Sequence, residues 1–199
     1  MIDLSTAANS DLQTQIDTLH KLVESSELLR TVLAEVPRLG LSNWYLGGGS
    51  IAQTAWNTIC GYDLNKNIKD CDIVYFDADD LSYEAEDRVI QRGLELLKGL
   101  PIEVEFRNQA RVHLWYEKKF GGTTGPYHST EEAINTWPTP ASSVGVTSDP
   151  EFRVYAPYGL HDLFAMIARP NKGLVSKEAY EAKMNRWAKA WPNMRVMDW

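Results

Sequence analysis

Leu46-Gly47-Gly48-Gly49-Ser50-Ile51-Ala52-Gln53-Thr54-Ala55-Trp56-Asn57 sets a run of glycines and a serine between a short aromatic segment, Asn43-Trp44-Tyr45-Leu46, and a stretch of helical composition. Glycine permits a tight turn and a close backbone approach, and the free amides of a helix's first turn attract anions. The order predicts a strand, a glycine turn and a helix. The turn has neither the G-x-G-x-x-G spacing of a dinucleotide fingerprint nor the Lys-Ser/Thr of a Walker loop. Taken alone, it also reads as a simple turn followed by an N-cap.

The next informative stretch is Lys69-Asp70-Cys71-Asp72-Ile73-Val74-Tyr75-Phe76. Its β-branched and aromatic end predicts a strand over 70–76. Side chains two apart on a strand share a face, so Asp70 and Asp72 point one way and Cys71 and Ile73 the other. The same alternation recurs in Ile102-Glu103-Val104-Glu105-Phe106. Two neighbouring strands can therefore gather up to four carboxylates on one polar surface. Like charges held that close repel unless a cation lies among them. Magnesium (or manganese) suits such a set, because it takes carboxylate, phosphate and water oxygens. Each pair alone also fits a wetted sheet face.

Outward from these stretches, the chain predicts an α+β arrangement. Apolar residues at helical spacing from Asp11 to Val36 indicate two helices divided near Ser25-Ser26 and ended by Pro37. Asp77 to Asp87 reads as an acidic loop entering a helix over Glu86 to Lys98. Asn108 caps a predicted helix to Lys119, stopped by Gly121-Gly122. Ser129-Thr130-Glu131-Glu132 resembles a capping box before Ala133 to Trp137. Short strands are expected over Ser143 to Val146 and Phe152 to Ala156, and helices over Leu160 to Ala168 and Ser176 to Trp191. Tyr180, Met184, Trp187 and Trp191 form a stripe on the last helix that predicts packing onto the rest of the chain.

At 199 residues the chain reads as a single domain over 1–199. Its parts would be an N-terminal helical segment (1–40), a core carrying the motifs (41–120) and a C-terminal extension packed on that core (121–199). The net charge of −7 argues against extended coating of nucleic acid or an anionic membrane. Residues 151–199 nevertheless carry eight Lys/Arg against five Asp/Glu, a charge that suits a polyphosphate or merely a solvated helix face. Cys60 and Cys71 suggest no disulfide framework, and with His113 they make no zinc set. The absence of a signal-like start or a long apolar run predicts a cytoplasmic protein that does not enter a membrane.

The order of strand, glycine turn, helix, Asp-x-Asp strand and later apolar-Glu-apolar strand resembles the polymerase β-like nucleotidyltransferase superfamily. The local sequences resemble more closely a bacterial and fungal family of small predicted nucleotidyltransferases (the former DUF925 group). The similar stretches are Leu46 to Asn57, Lys69 to Asp77, Asn108 to Trp115 and Ala156 to Phe164, within a resemblance covering roughly Asn43 to Trp191. It implies a polymerase β-like fold, with a small mixed sheet flanked by helices and additional C-terminal helices. It also implies that Gly48, Gly49 and Ser50 hold a triphosphate, and that Asp70, Asp72 and Glu105 are the catalytic, metal-binding acids. Glu103 shares the face of Glu105 and is the alternative third acid.

The activity implied is metal-dependent transfer of a nucleoside monophosphate from a nucleoside triphosphate to a hydroxyl acceptor, whether small molecule, protein or RNA end. The alternative is a non-catalytic nucleotide-binding or interaction module on the same fold. Beyond the resemblance, Arg111 is a candidate for bidentate phosphate binding. His113 reads as a packed or capping residue. His161 and Asp162 read either as orienting a base or as charges in a helix's first turn, and Trp187 and Trp191 read as core. Nineteen residues separate Ser50 from Asp70, so Gly61 to Lys69 is expected to loop near the site and shape the acceptor pocket.

Overall fold

The computed structural model describes Leu4 and residues 6–199, and its helices begin where side chains can satisfy their first amides. Asp11 accepts the Thr14 N–H at 3.0 Å to start α1 (Leu12–Ser25). Ser26 ends α1 and accepts the Leu29 N–H to start α2 (Glu27–Glu35), so the predicted break is a capping site. α2 ends just before Pro37, as expected. Pro37 sits early in a 3-10 turn, Val36–Leu39, which Gly40 closes at φ 66°.

β1 (Tyr45–Gly47) leads through the glycine turn into α3 (Gly49–Ile59). β2 (Asp70–Tyr75) is joined by α4 (Tyr83–Leu96) to β3 (Glu103–Asn108). A 3-10 segment, Gln109–Leu114, precedes α5 (Tyr116–Phe120) and α6 (Thr130–Ile134). Then come β4 (Gly145–Thr147), β5 (Arg153–Tyr155), α7 (His161–Phe164), β6 (Ile167–Ala168), α8 (Lys177–Ala190) and β7 (Arg195–Val196).

Two expected helices are shorter than predicted. The Asn108 carboxamide oxygen accepts the Ala110 N–H, which tightens the following segment into 3-10 geometry before α5. The predicted helix over 160–168 ends after one turn, because Met166 adopts φ 52° and the chain enters β6. β6 pairs in parallel with β7, and the Tyr180 hydroxyl lies within hydrogen-bond reach of the Ala168 and Met197 carbonyls.

The main sheet has the order β3-β2-β1-β4-β5. β2 and β3 are parallel, and the other pairings are antiparallel. Alternation divides its two faces. Leu46, Cys71, Ile73, Val104, Phe106 and Val146 join residues of α1, α2, α3 and α8 in one apolar core. Phe106 lies so close to α4 that a Cβ on Gly93 would come within 2.2 Å of its ring. A helix-weakening glycine is kept there because the strand needs the space. On the other face, Tyr45, Val74 and Ile134 form a smaller apolar patch, and the acids line up beside it.

α8 packs back onto α3, as its apolar stripe predicts. Trp187 and Trp191 are each about 1% exposed and both meet the Trp56 ring of α3 edge-on. The Trp191 indole N–H donates to the Asn57 side-chain oxygen at 2.9 Å. Among the described residues no helix is long and apolar enough to cross a membrane.

Candidate active site

The parallel register of β2 and β3 decides which acids meet. Asp70 lies opposite Glu103, and Asp72 lies opposite Glu105. On the other side of β2, Asp72 is also paired with Gly47, the last residue of β1 before the turn. Asp72 is thus the acid that joins the carboxylate row to the glycine turn.

Asp72 is half-buried, and its chemistry shows it. Burial first, then the charges of Asp70 and Glu105, push its carboxyl up to about 6. Lys183 and Arg107 act in the opposite direction. Glu105 is partly engaged already: the Arg107 guanidinium donates to it at 2.9 Å. Among the described residues no group of three or more His, Cys, Asp or Glu is drawn together closely enough to form a ready metal cage. The donor set still suits a hard divalent cation, because all its donors are carboxylate oxygens and its central acid lies under the charges of Asp70 and Glu105.

The glycine turn supplies a floor for this site. Gly48 takes φ 55° and ψ −106°, a conformation that disfavours any side chain, and it is the N-cap of α3. Its own N–H donates to the Val144 carbonyl at 2.9 Å, which ties the turn to the β4 end of the sheet. No side chain caps the first-turn amides of α3. Gly47 is required for a different reason: a Cβ there would fall 2.3 Å from Cη2 of Trp137, whose indole lies across the turn.

A cavity of about 190 Å³ opens between these parts, lined by Gly48, Gly49, Asp72, Trp137, Pro138 and Ser142. Lys183 of α8 completes its lining. Burial lowers the Lys183 ammonium below its ordinary value, while Asp72 and, more weakly, Asp70 hold it up. Neither Lys183 nor Trp137 stood out in the sequence as a site residue. The basic balance of residues 151–199 was the only signal that pointed toward Lys183.

Several sequence candidates lie elsewhere or act differently. Ser50 is fully buried, with its hydroxyl facing the Gly47 carbonyl at 3.5 Å and the Cys71 thiol, and it is not part of the cavity lining. Burial pushes that thiol up to about 12, which removes Cys71 as a nucleophile near neutral pH. Arg111 is not brought to the cavity. Its guanidinium is buried against Glu86 and donates through Nε to the Leu81 carbonyl, while Glu86 also accepts the Asn108 N–H. It fastens the acidic loop and the start of α4 to the end of β3.

His161 Nδ1 lies 2.8 Å from the Ala8 carbonyl, and Asp162 is gripped by Arg169 on both oxygens. These two residues join structure rather than orient a base. The His113 Nδ1 is buried with no hydrogen-bond partner among the described residues. The Gly61–Lys69 loop adds nothing to the cavity lining and is instead held by Asn57, which donates to the Leu64 and Lys66 carbonyls.

Comparison with known proteins bears on the fold and the family. A solved structure, determined by NMR and described as revealing a CCA-adding enzyme head domain, superposes with a TM-score of 0.73 at 23% identity. The match covers 98% of this chain and 100% of that one, and it establishes an α+β fold of the polymerase β-like type. No curated protein sequence matches the chain. Residues 34–196 match the family described as Nucleotidyltransferase, spanning most of the chain and every strand of the main sheet. The chain therefore belongs to the NTP_transf_6 nucleotidyltransferase family.

Proposed function

We propose that this protein transfers a nucleoside monophosphate from a nucleoside triphosphate to a hydroxyl acceptor. One observation carries the reading: Asp72 is flanked in register by Glu105 on one side and by the glycine turn on the other. That arrangement puts acids able to hold a divalent cation beside a backbone able to hold phosphates. The whole chain would act as one unit, because a single apolar core runs from Leu4 to Met194.

Gly48 and Gly49, with the Ser50 amide, receive phosphate oxygens at the start of α3. Asp70, Asp72 and Glu105 would hold Mg2+ or Mn2+, which when bound neutralises phosphate charge and makes the acceptor oxygen more acidic. Glu105 is the preferred third acid because it faces Asp72, whereas Glu103 faces Asp70 at the exposed start of β3. The acceptor oxygen forms a bond to the α-phosphorus, the α–β bridging P–O bond breaks, and pyrophosphate leaves. The acceptor proton passes to a carboxylate of the cluster. Positioning and charge compensation supply most of the acceleration in such transfers.

The test is pyrophosphate release and nucleotide labelling of a cell extract by the purified protein, with each of the four triphosphates and either cation. Turnover that disappears in Asp72→Asn supports the transfer. Tight triphosphate binding with no release in any extract would instead favour the second reading, a nucleotide-binding module. The Arg107–Glu105 ion pair favours that alternative, because it keeps one acid of the cluster occupied.

A further inference from the structure

The C-terminal helix does more than cover the core. Lys183 projects from α8 into the same cavity as Gly48, Gly49 and Asp72. Among the described residues no carboxylate closes on its amine as an ion pair. Its one direct partner is an aromatic face: Nζ lies 4.8 Å from the ring centre of Trp187, one helical turn onward. Trp187 in turn meets Trp56 at 4.8 Å between ring centres and 72° between planes. Trp56 belongs to α3, the helix that starts at the glycine turn. Two buried indoles therefore fix the lysine relative to the turn, and they leave its ammonium hydrogens free to donate.

We infer that Lys183 is a polyphosphate-binding residue, which grips the part of the triphosphate beyond the α-phosphate in the cavity it shares with the glycine turn. This deepens the nucleotidyl-transfer reading and rests on it for the identity of the ligand. The argument is one of charge and place. The cavity is lined by the glycines of the turn and by the Asp72 carboxylate, so an anion entering it needs a cation to offset that acid. Lys183 is the cation in its lining. A compact ammonium with rotatable donors on a flexible stem suits phosphate oxygens as a point charge. The alternative role, a counter-charge that merely offsets Asp72, makes the opposite forecast for ligand binding.

The experiment compares full-length wild-type protein with Lys183→Met and Lys183→Arg, with folding checked by thermal melting. Calorimetry measures binding of ATP, AMP and inorganic tripolyphosphate with Mg2+, and of Mn2+ alone. The inference expects Lys183→Met to weaken ATP and tripolyphosphate about 10- to 100-fold, the worth of one charge-assisted hydrogen bond. AMP affinity should change little, Mn2+ affinity should hold or tighten, and Lys183→Arg should recover part of the loss. General damage would lower AMP and ATP together, so the ATP-to-AMP ratio is the decisive readout. ATP binding unchanged in Lys183→Met overturns the inference, as does equal weakening of ATP and AMP. If the wild-type protein binds tripolyphosphate through Lys183 but no nucleotide, the transfer reading falls and the anion site stands. If it binds neither, both fall.

Discussion

Trp187 and Trp56 meet edge to face across the junction of α8 and α3, with ring centres 4.8 Å apart. Both are almost wholly buried, and Trp56 also donates its indole N–H to the Leu163 carbonyl at 3.1 Å. This contact makes the C-terminal helix part of the same core that supports the glycine turn. Trp187→Ala should cost about 3–5 kcal/mol in chemical denaturation, the usual toll of emptying a large aromatic site. Removal of everything from Ser176 onward should lower the melting temperature further. Unchanged melting after that truncation would show that the helix only rests on the surface.

The Asp72 carboxyl gives stability a pH dependence whose sign can be worked out. Its native value is about 6 against 3.8 unperturbed, so between those values the native state holds more proton at this site than the unfolded state. Its contribution therefore worsens as pH rises through that window and stays unfavourable above it. Asp72→Asn should stabilise the apoprotein by on the order of 1–3 kcal/mol near pH 7.5, fading below about pH 4. Urea melts across that range check it. An Asn variant that is less stable than wild type near neutrality would contradict the picture of a carboxylate held under repulsion.

Gly93 is where α4 yields to Phe106. Alanine is the better helix former by about 1 kcal/mol. Here, though, its methyl would sit 2.2 Å from the aromatic ring of a fully buried residue. Gly93→Ala should therefore destabilise the protein by about 1–3 kcal/mol, as overpacking does. Pairing it with Phe106→Leu should recover part of the loss, and the double-mutant cycle measures the coupling.

Arg111 is a structural clasp, which separates its effect on folding from any effect on ligand. Arg111→Met leaves the Glu86 carboxylate buried without its cation and should cost about 3–5 kcal/mol. Removing both charges with Glu86→Gln and Arg111→Met should be milder than the single change. Under conditions where the variant is folded, ATP affinity should match wild type. A selective loss of ATP affinity would return Arg111 to the phosphate site.

Several features were legible because they are local. Alternation puts Asp70 with Asp72, and Glu103 with Glu105, on one side of any strand they form. The caps at Asp11, Ser26, Ser129 and Ser176 mark helix starts for the same local reason, since each side chain reaches an amide only three residues ahead. The glycine turn was legible as a turn, and α8 as a helix with one buried stripe.

Pairings between distant segments were not legible, because no short-range periodicity encodes them. Only the parallel register of β2 with β3 sets Glu105, rather than Glu103, against Asp72. Only packing turns the Ser50 side chain inward, commits Arg111 to Glu86 and lays Trp137 on Gly47. Lys183 joins the cavity because Trp187 and Trp56, far apart in the chain, pack α8 onto α3. The chain itself wrote down which residues could share a face. The choice of which face they meet was left to the core, where apolar burial outweighs any preference of a single segment.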